Sequence, residues 1–188
     1  IGGMNSFSRK QLLEVLQAFV KAYETNNNIR LTCTIQMFNL KEIDKKGQLN
    51  NYIDHPGITI IDYHLTYSDI INLYYDHHAS ILVSKQEGLG LGFYEALATG
   101  TPVITLDTEP HNEIIKNNIN GWTIPCYYKK MDDNNSALFD SAYFDIDILV
   151  NKFIDIGNGY IGYYEELYKS LVNDYNERLS NDVFKEKF

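Results

Sequence analysis

Two glutamates enclose a polar, glycine-rich stretch of the chain, with Glu87 at its start and Glu95 eight positions later. Between them, Gly88, Gly90 and Gly92 alternate with leucines. Glycines lack a Cβ and so let the backbone come close to a phosphate group. A carboxylate just beyond such a loop can accept two hydrogen bonds from a ribose diol. The types and spacing of these residues therefore predict a site for a nucleoside diphosphate.

The segments on either side of this stretch must hold it in place. Residues 79–83 are apolar except for Ser80, and such a run is typical of a strand buried on both faces of a parallel sheet. Residues 93–99 have the character of a helix that stops at Gly100. In open α/β sheets, ligands bind beyond the carboxyl ends of the strands, where a helix N-terminus offers free N–H groups. The order strand, loop, helix therefore predicts an anion site in the loop.

The rest of the chain alternates helical patterns with short β-branched runs, which predicts an α/β fold with a mainly parallel sheet. Ser8 to Gln11 fits a capping box for a first helix, and Thr66 begins another helix with the pattern Thr-x-x-Asp. Residues 127–141 are polar and irregular. The predicted segments are helices at 12–23, 40–52, 66–75 and partly 142–156, strands at 29–35 and 57–61, and a terminal helix within 160–188 that covers the sheet.

Composition limits the classes of function. The chain has 188 residues with 44% hydrophobic content, enough for one compact domain over residues 1–188. Its formal net charge of −9 opposes binding to nucleic acid or to anionic membranes. No apolar run approaches the roughly 20 residues of a membrane-spanning helix, and no signal pattern begins the chain. We therefore expect a cytoplasmic protein, and the opening Ile-Gly-Gly favours a fragment of a longer chain.

Residues 87–104, which read EGLGLGFYEALATGTPVI, resemble the signature of retaining glycosyltransferases of GT-B architecture, the family 4 or group 1 enzymes. That group includes relatives of sucrose, trehalose and glycogen synthase. Glu113 and the stretch 117–124 are similar to the family's acidic residue, Asn-Gly turn and short strand, and Gly2-Gly3 with Arg9-Lys10 is similar to its basic motif. The resemblance covers roughly residues 1–125. It implies the Rossmann-like, three-layer α/β/α C-terminal half of a GT-B enzyme.

The resemblance also implies roles for individual residues. Glu95 would hold the ribose hydroxyls, and Glu87 would face the transferred sugar as a stabiliser rather than as a nucleophile. Lys10, with Arg9 beside it, would neutralise the leaving phosphate. The loop backbone would cradle the diphosphate. The implied catalytic residues are Glu87 and Lys10, and the implied donor-binding residues are Arg9, Lys10, Gly88, Leu89, Gly90, Leu91 and Glu95.

No metal ion and no cofactor are expected, because fixed cations and a helix N-terminus can stabilise a departing nucleoside diphosphate. The implied substrate is a nucleotide-diphosphate sugar, UDP- or GDP-linked, whose sugar is transferred with retention of configuration. The implied partners are an N-terminal GT-B domain, absent from this chain, and a sugar, lipid or protein acceptor.

Two other functions stay open. The family often has Arg after the first glycine, where this chain has Gly3 or Met4, so the domain could be a nucleotide-sugar binding module that has lost activity. The second is a dinucleotide-binding oxidoreductase domain. It is disfavoured because Gly88, Gly90 and Gly92 do not form G-x-G-x-x-G and do not follow the first strand.

One pair of aspartates and one pair of histidines have side chains of the kinds that bind metal ions. Asp145 and Asp147 match the Asp-x-Asp motif of metal-dependent glycosyltransferases, but acidic residues also favour helix starts, and we interpret them so. His77 and His78 close a predicted helix without a third ligand at suitable spacing, which favours C-terminal capping over metal binding.

Overall fold

The computed structural model describes residues 6–35, 47–130, 140–159, 161–180, 182–183 and 185. Part of the helix predicted at 40–52 and the Gly2-Gly3 motif lie outside these residues. The helices are α1 (Ser6–Arg9), α2 (Leu12–Thr25), α3 (Asn50–Ile53), α4 (Tyr67–Tyr75), α5 (Leu91–Ala98), α6 (His111–Ile114), α7 (Ile146–Gly157) and α8 (Ile161–Arg178). The strands are β1 (Leu31–Thr34), β2 (Ile58–Ile61), β3 (Ser80–Leu82), β4 (Val103–Leu106), β5 (Gly121–Ile124), β6 (Cys126–Lys129) and β7 (Ser141–Phe144).

The fold is α/β with mainly parallel sheets, as the alternation of patterns predicts. By its contacts the chain divides into two compact units. The first runs to Leu65 and includes Phe144–Gly159, and the second consists of Thr66–Tyr143 and the chain after Gly159. The expectation that residues 1–188 form one domain stays a prediction.

The first unit is built on two parallel strands and the amphipathic helix α2. Strands β1 and β2 pair in register from Leu31 opposite Ile58 to Thr34 opposite Ile61. Helix α2 buries one face, because its apolar residues recur at helical spacing. The Phe19 ring meets the Phe153 ring of α7 edge to face, with centroids 5.6 Å apart. The buried residues of α2 are Leu12, Val15, Leu16, Ala18, Phe19 and Ala22.

The second unit has a parallel sheet in the order β3-β4-β5. Strand β4 is wholly buried, and Gly121 of β5 packs so closely that a Cβ there would lie 2.1 Å from the Val103 carbonyl oxygen. Helices α5 and α8 share one apolar cluster with this sheet. Its buried residues are Phe93, Ala96, Leu97, Val103, Ile114, Ile115 and Leu171.

Several local predictions are confirmed. Thr66 caps α4 through a capping box in which its hydroxyl accepts from the Asp69 N–H. Asp145 caps α7, because its carboxylate accepts from the Asp147 N–H at 2.9 Å. His77 closes α4, with its Nδ1 2.6 Å from the Leu73 carbonyl oxygen. Asp145, Asp147 and His77 therefore have structural roles at helix ends.

Other local predictions are wrong. Ser8 lies inside α1 instead of capping a helix, because Gln11 takes a left-handed conformation (φ 54°) that separates α1 from α2. Ser80–Leu82 of β3 are half-buried rather than buried on both faces. The sequence predicts irregular structure over residues 127–141 and partly helical structure from residue 142. The structure instead has strands β6 and β7 in this part of the chain. Within the described parts of the chain, no helix is both long enough and apolar enough to cross a bilayer.

Candidate functional site

The candidate site is the loop of residues 84–90, which we call the glycine loop, together with the first turns of α5. The loop leaves the carboxyl end of β3, where ligands bind in open parallel sheets. Glu87, the residues from Gly88 to Leu91, and Glu95 all belong to this short segment of the second unit. The structure thus brings six of the eight predicted site residues into one loop and one helix start.

Glu87 is held by a buried serine. Ser84, at 0% exposure, donates a hydrogen bond from Oγ to the Glu87 Oε2 atom at 2.9 Å. A charge-assisted bond of this kind is about twice as strong as a neutral one. One carboxylate oxygen of the half-buried Glu87 is therefore oriented by the protein itself.

Gly90 starts α5 in a conformation that suits glycine. Its φ is +63°, and a Cβ there would lie 2.4 Å from Cδ2 of the buried Phe93 ring. Since Gly90 is the N-cap residue and has no side chain, no cap bond covers the first N–H groups of α5. The positive end of the helix dipole and these donors together favour an anion.

The glycine loop is open to solvent at Gly88 and Leu89. A Cβ at Gly88 would meet nothing within 4 Å. Leu89 of the loop and Leu91 of α5 expose 79% and 65% of their surface. Space for a ligand therefore exists directly over the loop backbone.

Glu95 has a partner that the sequence did not indicate. The Tyr74 hydroxyl of α4 donates to the Gly92 carbonyl oxygen at 3.5 Å and also interacts with the Glu95 carboxylate, whose pKa it lowers as a hydrogen-bond donor. Partial burial raises the pKa of Glu95 above its ordinary 4.5, and the bond from Tyr74 offsets part of that rise. Burial and the Glu95 carboxylate raise the pKa of Tyr74, so its hydroxyl stays protonated and donates.

Two buried polar residues, Thr105 and His111, hold the end of β3, where the glycine loop begins. The Thr105 hydroxyl of β4 lies 3.1 Å from Nδ1 of His111 and donates to the Leu82 carbonyl of β3 at 2.8 Å. The His111 ring packs edge-on against Phe93, with centroids 5.1 Å apart. These contacts fix the end of β3 and the Phe93 ring that Gly90 approaches. Sequence reasoning missed His111, Ser84 and Tyr74, and only the three-residue spacing of Ser84 from Glu87 was a usable signal.

Arg9 and Lys10 lie in the first unit. Arg9 is the last residue of α1 and Lys10 follows it, and both side chains are half-buried. Of the residues similar to the family's downstream motifs, Glu113 is exposed in α6 and Asn117 accepts a hydrogen bond from the Thr123 N–H at 3.2 Å. The roles predicted for Arg9 and Lys10 stay predictions.

A family model described as Glycosyl transferases group 1 matches residues 5–135. The curated relative named UDP-N-acetylglucosamine--peptide N-acetylglucosaminyltransferase GtfA subunit, from Streptococcus agalactiae, is 36% identical over 87 residues. That match covers 46% of this chain and 15% of the relative.

Two solved structures have the same fold. The pneumococcal O-GlcNAc transferase GtfA in complex with UDP and GlcNAc is 18% identical, with a TM-score of 0.66 over 99% of this chain and 33% of that one. The C-terminal domain of a glycosyl transferase group 1 family protein (LpcC) from Francisella tularensis is 15% identical, with a TM-score of 0.73 over 96% of this chain and 84% of that one. This chain therefore spans about a third of the longer enzyme and most of the C-terminal domain.

Proposed function

Because the chain belongs to the Glycosyl transferases group 1 family and has the fold of a GT-B C-terminal domain, we propose that it binds the nucleotide-sugar donor of a glycosyltransferase. The proposed donor is UDP-linked, with N-acetylglucosamine as the first sugar to test. The name of the S. agalactiae relative and the UDP and GlcNAc in the pneumococcal structure support this choice.

The observation that carries the proposal is the start of α5 at Gly90. The left-handed glycine leaves the first N–H groups of an eight-residue helix without a side-chain cap, beneath an open loop surface. Two backbone donors and a helix dipole suit the diphosphate of a nucleotide sugar. Gly88 adds no side chain that would keep the phosphates away.

Glu95 is the proposed ribose ligand. It projects from the middle of α5, just past the proposed phosphate position, and Tyr74 fixes its carboxylate. An ionised carboxylate can accept from both ribose hydroxyls while it keeps the bond from Tyr74, because its two oxygens offer about four acceptor positions.

Glu87 is the proposed stabiliser of the transferred sugar, in a reaction that retains configuration and needs no metal ion. Positive charge develops on the sugar as the bond to the diphosphate breaks, and a carboxylate oriented by Ser84 favours that charge. Lys10, with Arg9 beside it, is proposed to neutralise the departing diphosphate, since a fixed cation stabilises the negative charge that develops there.

The remaining parts of the proposal concern the whole enzyme. This chain spans 33% of the pneumococcal enzyme, so we propose that an N-terminal GT-B domain supplies most of the surface for a sugar, lipid or protein acceptor. A cytoplasmic location is proposed as well, because Cys33 and Cys126 are both free thiols, which reducing compartments favour.

The test is a calorimetric titration of the 188-residue chain with UDP, GDP and ADP and with their sugar conjugates, with and without a chelator. We expect UDP to bind, and Glu95→Ala to weaken that binding about tenfold or more, the effect of losing one hydrogen bond to a charged group. Glu165→Ala is the matched control, since Glu165 is an exposed glutamate on α8 of the same unit.

Each result has a clear meaning. Failure of a folded chain to bind any of the nucleotides would overturn the donor site. Binding that disappears with the chelator would overturn metal independence. Binding by this chain without sugar transfer by the longer parent protein would favour the non-catalytic nucleotide-sugar module.

A further inference from the structure

Two tyrosines of strands β6 and β7 lie near Lys129 of β6 and Lys85 of the glycine loop. We call this surface the tyrosine-lysine patch (Lys85, Tyr127, Lys129 and Tyr143). The Tyr127 and Tyr143 rings are nearly parallel, at 19°, with centroids 6.1 Å apart. The Lys129 Nζ lies 5.1 Å from the Tyr127 centroid and 5.6 Å from that of Tyr143. The Lys85 Nζ lies 4.5 Å from the Tyr143 centroid. Two ammonium groups therefore approach one tyrosine ring.

The patch is attached to the glycine loop by hydrogen bonds. The Ala142 N–H of β7 donates to the Lys85 carbonyl oxygen at 3.1 Å. The Gln86 side chain donates to the Ser141 hydroxyl at 3.4 Å. Lys85 itself stands two residues before Glu87, a distance of about 7 Å along an extended chain. A molecule held by the patch is therefore a close neighbour of the residue proposed to face the transferred sugar.

The charge of the patch is opposite to that of the protein. The chain has a formal net charge of −9, yet these two lysines converge on one aromatic ring. Ring faces attract cations, which offsets part of the repulsion between the two ammonium groups. The two ammonium groups are therefore held close together, where a phosphate or carboxylate can contact them.

The patch is also accessible. Tyr127 exposes 45% of its surface, and Lys129 is exposed. An aromatic ring with a polar tip is suited to the apolar face of a sugar ring and to its hydroxyls, while an ammonium is suited to a phosphate or carboxylate. A ligand that uses both features carries a sugar ring and an acidic group.

We propose that the tyrosine-lysine patch binds the acidic group and sugar ring of an anionic saccharide acceptor beside the glycine loop. This proposal rests on the proposed function, since an acceptor is meaningful only next to a donor. It assigns the patch a part in choosing the acceptor, and it limits that choice to saccharides with a phosphate or carboxylate group.

The experiment is a titration of the isotope-labelled 188-residue chain, followed by NMR, with glucose 6-phosphate, glucose and inorganic phosphate as probes. Each titration is done with and without saturating UDP. We expect glucose 6-phosphate to bind in the presence of UDP, to shift the amides of β6 and β7, and to bind more tightly than either of the other two probes.

Charge-removing variants locate the binding. Lys85→Gln and Lys129→Gln each keep most of the side-chain length, and we expect each to weaken glucose 6-phosphate about fivefold to tenfold, the effect of one lost charge-assisted contact. Lys169→Gln is the control, because Lys169 is an exposed lysine on α8 of the same unit. An equal loss in the control would show only a general effect of net charge and would overturn the proposal.

Three further results would overturn it. The first is no binding of glucose 6-phosphate to a folded chain. The second is displacement of glucose 6-phosphate by UDP, which would place the anion in the donor site. The third is inorganic phosphate binding as tightly as glucose 6-phosphate, which would show that the patch does not recognise the sugar ring. A chain that fails to bind UDP but binds glucose 6-phosphate through Lys85 and Lys129 would refute the proposed function and keep the patch as an anionic-saccharide site.

Discussion

The Tyr74 hydroxyl of α4 interacts with the Glu95 carboxylate of α5 and lowers the pKa of that carboxylate. The Tyr74 backbone is itself fixed, because the Thr101 hydroxyl donates to its carbonyl oxygen at 2.8 Å. The carboxylate proposed to bind ribose is therefore oriented by a neighbouring helix as well as by its own.

Removing the Tyr74 hydroxyl tests that orientation. Tyr74→Phe keeps the ring in its packing, and we expect UDP affinity to fall about threefold to tenfold because Glu95 loses its orienting donor. The affinity for 2′-deoxy-UDP should fall less, so discrimination between the two nucleotides decreases. Calorimetry measures both, with Tyr75→Phe as the control, since Tyr75 is exposed on the same helix. Equal losses for both nucleotides would indicate a purely structural role for Tyr74.

Glu95 should also make nucleotide affinity depend on pH. The ribose hydroxyls need an ionised carboxylate as acceptor, so affinity falls as pH drops through the pKa of Glu95, which burial places above 4.5. In Tyr74→Phe the fall begins at higher pH, because the bond that lowered the pKa is gone. Glu95→Gln serves as the control. In titrations at several acidic pH values, the nucleotide affinity of this variant should not show the fall that protonation of Glu95 causes in the wild type. A wild-type profile identical to that of Glu95→Gln would contradict the assignment.

The contribution of Glu95 to stability changes with pH in the direction opposite to its contribution to nucleotide affinity. Its pKa is raised in the folded state, so the folded protein binds the proton more tightly than the unfolded chain. The Glu95 contribution to the free energy of unfolding therefore increases as pH falls through that pKa. Denaturant unfolding of the wild type and of Glu95→Gln at several pH values isolates it. A contribution that decreases toward acid would contradict the raised pKa.

Gly90 and Gly88 form a matched pair for stability. Gly90→Ala must hold alanine at φ +63° and push against Phe93, so we expect it to lower the free energy of unfolding by about 2 kcal/mol or more. Gly88→Ala adds its methyl to open space and should change stability by less than about 0.5 kcal/mol. Chemical denaturation measures both. Similar costs for the two variants would contradict the left-handed conformation of Gly90.

Ser84 should affect the sugar more than the nucleotide. In Ser84→Ala the Glu87 carboxylate loses its hydrogen bond, and we expect UDP affinity to stay within about twofold while UDP-sugar affinity falls about fivefold. Calorimetry with both ligands gives the ratio. Ser80→Ala in β3 is the control, a half-buried serine one strand-length before the loop. An equal loss of UDP affinity would contradict the proposal that Glu87 faces the transferred sugar.

The parts of the fold that depend on neighbouring residues were predictable from the sequence. Thr66 and Asp69 are three residues apart and cap α4 as their types predict, and Gly90 and Gly100 delimit α5. Each of these signals acts within one or two helical turns, where residue type decides the backbone. The glycine loop with Glu87 and Glu95 could be proposed as a site for the same reason, and its role stays a prediction.

The parts that depend on contacts distant in sequence were not predictable. Strands β6 and β7 are four residues each and gain their ladder only by pairing with one another. The break between α1 and α2 is made by a buried Gln11 in a left-handed conformation, which glutamine rarely adopts. Tyr74 reaches Glu95 only because α4 packs beside α5. No local pattern contains this information.

Helix α8 has a consequence for where this domain can be cut. The family match ends at residue 135, yet Leu171 of α8 belongs to the apolar cluster that buries Phe93, Ala96 and Leu97 of α5. Tyr168 also closes over Gly100, where a Cβ would lie 2.4 Å from its ring. A protein trimmed to the boundaries of sequence similarity would keep every residue named in the proposed nucleotide site. It would lose α8, the helix against which α5 packs.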